Sequence, residues 1–79
     1  MPRRRPRPGD ITTIKDLFKY KSTWVVSVAL RDGRVKRFTR SGFREGKYSE
    51  EDLNRKVRVD EVWIYYKINW HYFCEEVRA

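Results

Sequence analysis

Val62-Trp63-Ile64-Tyr65-Tyr66-Lys67-Ile68-Asn69-Trp70-His71-Tyr72-Phe73-Cys74-Glu75-Glu76-Val77 is the stretch on which the fold turns. Six of the chain's twelve Phe, Trp and Tyr residues fall within it. Aromatic and β-branched side chains at this density suit the pleated, half-buried surface of a sheet. Two antiparallel strands are expected, with Lys67-Ile68-Asn69 as the turn, because Asn tolerates the left-handed backbone of a tight reversal. Strand alternation puts Val62, Ile64 and Tyr66 on one face and Trp63, Tyr65 and Lys67 on the other; on the return, Trp70, Tyr72 and Cys74 oppose His71, Phe73 and Val77. Both faces are thus aromatic. Two short helices cannot cover both, so some rings should stay exposed or meet a partner.

Working outward from that hairpin, Trp24-Val25-Val26-Ser27-Val28-Ala29-Leu30 alternates, with Trp24, Val26, Val28 and Leu30 expected on the core face. A three-residue loop, Arg31-Asp32-Gly33 with Gly33 left-handed, pairs Val26 with Phe38 and brings that ring onto the apolar face, whereas a two-residue loop would turn it away. The return strand Arg34-Val35-Lys36-Arg37-Phe38-Thr39-Arg40 places Val35 and Phe38 three apart, which implies a bulge or a sheet edge. Its cations guard an edge against aggregation, or form with Arg31 and Arg44 a ribbon for phosphate contact.

Thr12 to Tyr20 predicts a short helix capped by Thr13, with Ile14, Leu17 and Phe18 on its core face. Residues 41–48 predict a loop in which Phe43 and Tyr48 fold back over the sheet edge. Ser49 predicts the cap of a helical turn over Glu50-Glu51-Asp52-Leu53, and Val57 and Val59 an early start to the third strand.

The chain of 79 residues carries a net charge of +8, and the excess is uneven. Residues 1–40 hold twelve Lys and Arg against three Asp, or +9, and residues 41–79 hold seven against eight acids, or −1. Met1 to Asp10, with three prolines and Arg3, Arg4, Arg5 and Arg7, predicts a disordered basic arm. Such arms contact nucleic-acid backbones, though the same string also serves as a localisation tag or a solubilising tail. Cys74 is the only cysteine, so an intrachain disulfide is excluded, and the lone thiol fits a reducing, cytoplasmic setting. Neither a secretory leader nor an apolar span of membrane length is present, so no membrane partner is expected.

No catalytic constellation emerges. His71 and Cys74 are three apart and belong on opposite strand faces, which argues against a Cys-His nucleophile pair. Glu50, Glu51 and Asp52, and the pairs Asp60-Glu61 and Glu75-Glu76, read as solvated faces rather than metal ligands. No enzyme activity, metal or cofactor is expected.

From Ile14 onward the order of elements is similar to that of small α+β accessory proteins of phages and mobile elements of Gram-positive bacteria. The matching features are Ile14-Lys15-Asp16-Leu17 opening a helix, a hairpin, the step Glu50-Glu51-x-Leu53-Asn54-x-x-Val57 and a closing strand pair. The resemblance implies an accessory factor, and some small phage proteins inhibit host defence nucleases such as CRISPR effectors.

The expected architecture is α+β: an arm over residues 1–10, then one domain over residues 11–79 with an antiparallel sheet of about four strands in two hairpins and one or two short helices. A small all-β barrel is the structural alternative. The leading functional expectation is a non-enzymatic module for RNA or DNA, with Arg3, Arg4, Arg5, Arg7, Arg31, Arg34, Lys36, Arg37, Arg40 and Arg44 on phosphates and Phe38 or a hairpin aromatic stacking on bases. The other is a protein-binding inhibitor that docks an acidic protein surface or a nuclease channel through Trp63, Tyr65, Trp70 and Tyr72.

Overall fold

Every apolar segment of the chain meets in one curled, five-stranded mixed sheet whose inner face is covered by three short helices. The computed structural model describes residues 5–66 and 68–77. The elements are β1 (Ile11–Thr13), α1 (Ile14–Phe18), β2 (Thr23–Ala29), β3 (Val35–Thr39), α2 (Arg40–Arg44), α3 (Glu50–Leu53), β4 (Lys56–Tyr65) and β5 (Asn69–Glu76). The strand order is β1-β4-β5-β2-β3. Among the described residues, no helix is long and apolar enough to cross a membrane.

The aromatic stretch forms the antiparallel β4–β5 hairpin, in which Val62 faces Tyr72, Trp63 faces His71 and Ile64 faces Trp70. A register shift between Val59 and Glu61 resets the phase of β4. Without it, Val57 and Val59 would share a face with Glu61 and Trp63; with it, they line up with Val62 over the core. Among the described residues of the turn the left-handed one is Tyr66, at φ 56°, and not the expected Asn69, which already pairs with Tyr65. Lys67 lies outside the described residues.

The β2–β3 hairpin has the expected three-residue loop, because Leu30 N–H donates to Arg34 C=O, Gly33 sits at φ 92° and Val26 faces Phe38. β3 is an edge strand, which lets Val35 stay exposed while Phe38 is buried. The sheet is not wholly antiparallel, since β2 runs parallel to β5, with Val26 opposite Tyr72 and Val28 opposite Cys74. A fifth strand, β1, adds to β4 through Ile11 and Arg58.

The inner face carries Val26, Val28, Phe38, Val57, Val59, Tyr72 and Cys74, closed by Ile14, Leu17 and Phe18 of α1. Thr13 caps α1 by accepting from Asp16 N–H, and Ser49 caps α3 by accepting from Asp52 N–H. Residues 40–44 form a helix instead of the expected loop, capped by the side chain of Thr39. That helix brings Phe43 onto Phe18 at 5.1 Å, while Tyr48 meets Phe38 edge-on at 4.9 Å. Gly42 is required there because a Cβ would stand 2.7 Å from Tyr48 Cζ.

Residues 5–10 are held against the sheet, which corrects the expectation of a disordered arm over its described part. Gly9 N–H donates to Val59 C=O, Val59 N–H to Asp10 C=O, and Arg7 N–H to the Asp10 carboxylate. Prolines at 6 and 8 lower the entropy lost on ordering, and Arg5 supplies the anchor.

Candidate nucleic-acid interface

A bulge decides which aromatics reach the surface. β2 pairs Thr23 with Trp70 and then Val25 with His71, so Trp24 is the extra residue. The alternation inverts there: Thr23 points into the core, and Trp24, expected on the core face, turns outward. Among the described residues, no helix covers the outer face. Trp24, Trp63 and Tyr65 are 50, 48 and 43% exposed, and Ile64, Tyr66 and Ile68 extend the apolar surface around the hairpin tip.

The outer face is internally ordered. His71 stacks on Phe73 at 4.1 Å, Trp63 tilts against Phe73 at 5.3 Å, and Tyr65 lies 6.4 Å from Trp63. Ser27 Oγ bonds to His71 Nε2 at 2.9 Å. Burial, with a smaller contribution from Arg37, holds the imidazole below its ordinary pKa and so favours the neutral ring. Trp63 Nε1 donates to Glu61 at 2.7 Å, which fixes the indole. Arg37 pairs across from Ser27 and projects from the same face. Together these residues make a fixed aromatic surface bordered by a cation.

The residues of the expected basic ribbon sit in different settings. Arg34 is bound to Asp32 at 2.8 Å and Lys36 to Asp52 at 2.7 Å. The Lys36 bond is the main reason the Asp52 carboxyl lies below its usual range, and the Arg34 bond does the same for Asp32. Arg40 points inward, with its guanidinium donating to the carbonyls of Thr23, Phe18 and Tyr20. Those three acceptors lie where α1 ends and β2 begins, so Arg40 ties the loop between them to α2. Arg31, Arg37 and Arg44 remain exposed.

Two expected contact residues are corrected. Phe38 is fully buried beneath Tyr48, and no base can reach its ring. Tyr72 is fully buried as well, with its hydroxyl accepting from Arg5 at 3.1 Å. Both face inward because the β2–β3 hairpin register and the parallel β2–β5 register place them on either side of Val26.

Arg5, Arg7 and Trp70 come together at a second place. The Arg5 guanidinium lies 4.2 Å from the Trp70 ring and 4.8 Å from that of Tyr20, and it also donates to Ser22 Oγ. Below it, Arg5, Pro6, Arg7, Pro8, Val62, Ile64 and Trp70 line a cavity of about 380 Å³. Arg3 and Arg4 lie outside the described residues. Sequence reasoning missed Trp24, because nothing local marks the bulge, and missed the cavity, because its two walls are 54 or more positions apart.

No protein family, curated protein or solved structure matches this chain.

Proposed function

We propose that the chain is a non-enzymatic nucleic-acid-binding module that stacks the bases of a single strand on the outer face of its sheet. The observation that carries this reading is the row of Trp24, Trp63 and Tyr65, half-exposed on an uncovered face of a protein with net charge +8. Aromatic side chains on a sheet are sequence-tolerant platforms, since every base has a π-face, and each stacked base is worth about 1–3 kcal/mol. Arg37 beside the rings contacts a phosphate, and Arg31, Arg44 and Arg7 raise the local anion concentration from the flanks. Duplexes are disfavoured, because paired bases cannot lie flat on the rings.

A second reading draws on the exposed apolar side chains of Tyr66 and Ile68 at the hairpin tip. On it, the same face docks a protein, as a phage-type inhibitor would on a nuclease. Fluorescence-anisotropy titrations against single-stranded RNA, single-stranded DNA and duplex DNA at two salt concentrations separate the two. The nucleic-acid reading expects single strands to bind at micromolar or tighter Kd near physiological salt, and the duplex about tenfold or more weakly. Binding that vanishes above low salt would refute it and leave the protein partner.

A further inference from the structure

The outer platform does not account for the cavity between residues 5–8 and the β4–β5 hairpin. We propose that this cavity is a nucleotide site: it takes the base of one nucleotide against Ile64, Val62 and the edge of Trp70, and its phosphate on Arg7. The inference rests on the single-strand reading above and adds a second, separable site to it.

Three observations lead there. The cavity measures about 380 Å³, within the range of small-ligand pockets, and five of its seven lining residues are apolar: Pro6, Pro8, Val62, Ile64 and Trp70. The other two are arginines with different tasks. Arg5 is engaged by Trp70, Tyr20 and Tyr72 and forms a fixed wall. The Arg7 side chain is exposed at the mouth, and no ion pair engages it among the described residues. An apolar slot with a guanidinium at its rim matches a flat, weakly polar base joined to a phosphate, which an arginine fork binds through two parallel hydrogen bonds.

The third observation is topological. β1 pairs with β4 only from Lys56 to Arg58, and Gly9 and Asp10 extend that pairing only to Val59. Beyond Val59, no described strand pairs with that side of β4. Trp63 and Tyr65 lie on one face of this free edge, and Val62 and Ile64 on the other. A strand stacked on the outer face would reach the cavity by passing around this edge of β4.

The probes are adenosine and uridine monophosphates, the corresponding nucleosides, and inorganic phosphate, titrated into the full chain by heteronuclear NMR. The nucleotide site predicts saturable shifts of the Ile64 methyl and Trp70 indole resonances with the monophosphates. The nucleosides should bind about tenfold more weakly, for want of the arginine–phosphate bond. Arg7→Ala, at an exposed side chain, should bring monophosphate affinity down to the nucleoside level. Lys15→Ala, at an exposed side chain of α1 outside the cavity, should leave it unchanged. Shifts confined to Trp24 and Trp63, none up to millimolar ligand, or equal affinity in Arg7→Ala would overturn the site. The platform is scored separately: if oligonucleotides still lose affinity in Trp24→Ala while these probes are silent at Ile64 and Trp70, only the cavity assignment fails.

Discussion

Arg40 offers a sharp division between architecture and binding, because in sequence it belongs to the basic ribbon and in space its part-buried guanidinium is turned onto backbone carbonyls. Replacing it with Met keeps the aliphatic stem beside Phe18 and removes the charged donors from the carbonyls of Phe18, Tyr20 and Thr23. Burial already lowers the pKa of this guanidinium, with Arg44 and Arg5 adding repulsion, so the three carbonyl bonds must offset an unfavourable setting. Charge-assisted bonds contribute about 1.5–3 kcal/mol each at most, and after desolvation and the relieved repulsion about 1 kcal/mol per carbonyl remains. Arg40→Met should therefore cost about 3 kcal/mol, a fall in Tm of more than about 10 °C for a domain of this size. Urea denaturation followed by tryptophan fluorescence measures the loss, and an oligonucleotide titration of the folded variant measures binding. Single-strand affinity should change less than about threefold. A stability loss under ~1 kcal/mol together with a large loss of affinity would refute the inward role and return Arg40 to the interface.

Two further outcomes test the packing. Gly42→Ala places a Cβ against the Tyr48 ring and should destabilise by about 1–3 kcal/mol through overpacking, read by the same urea titration; an unchanged midpoint would contradict the Tyr48 contact. The Cys74 thiol is pushed up to about 12, first by burial and then by the Asp60 carboxylate. Its folded pKa thus exceeds its ordinary value of 9.0, so the stability it contributes is complete below pH 9 and is lost as pH rises toward 12. Relative to Cys74→Ala, the native protein should lose up to about 1.4 kcal/mol per pH unit in that window, and a pH-independent difference between the two would contradict it.

Much of this was legible in the chain, and the parts that were share one property: they are specified locally. The caps at Thr13 and Ser49 need only the residue and the amide three positions on. The Arg31-Asp32-Gly33 loop sets the Val26–Phe38 pairing through one left-handed glycine. The aromatic hairpin follows from alternation alone. What stayed hidden depends on groups far apart in sequence. The bulges at Trp24 and after Val59 exist because the inner face must present Thr23, Val26, Val57, Val59 and Val62 to a core built by other segments. The parallel β2–β5 pairing arises because the segment with α2 and α3 carries the chain from β3 to the far side of the sheet. Residues 5–10 look disordered in composition, yet Arg5 finds Tyr20, Trp70 and Tyr72 at separations no local pattern reveals. For the same reason, the ribbon from Arg31 to Arg40 divides into an inward Arg40, ion-paired Arg34 and Lys36, and outward Arg31 and Arg37.

The outer aromatic face is tested most directly by titrating a single-stranded oligonucleotide into the native protein and into Trp24→Ala/Trp63→Ala at matched near-physiological salt, with urea midpoints taken on both. Two lost stacking contacts at about 1–3 kcal/mol each should weaken binding by about thirtyfold or more while the half-exposed side chains leave the fold intact. Equal affinity in a folded double variant would contradict the platform.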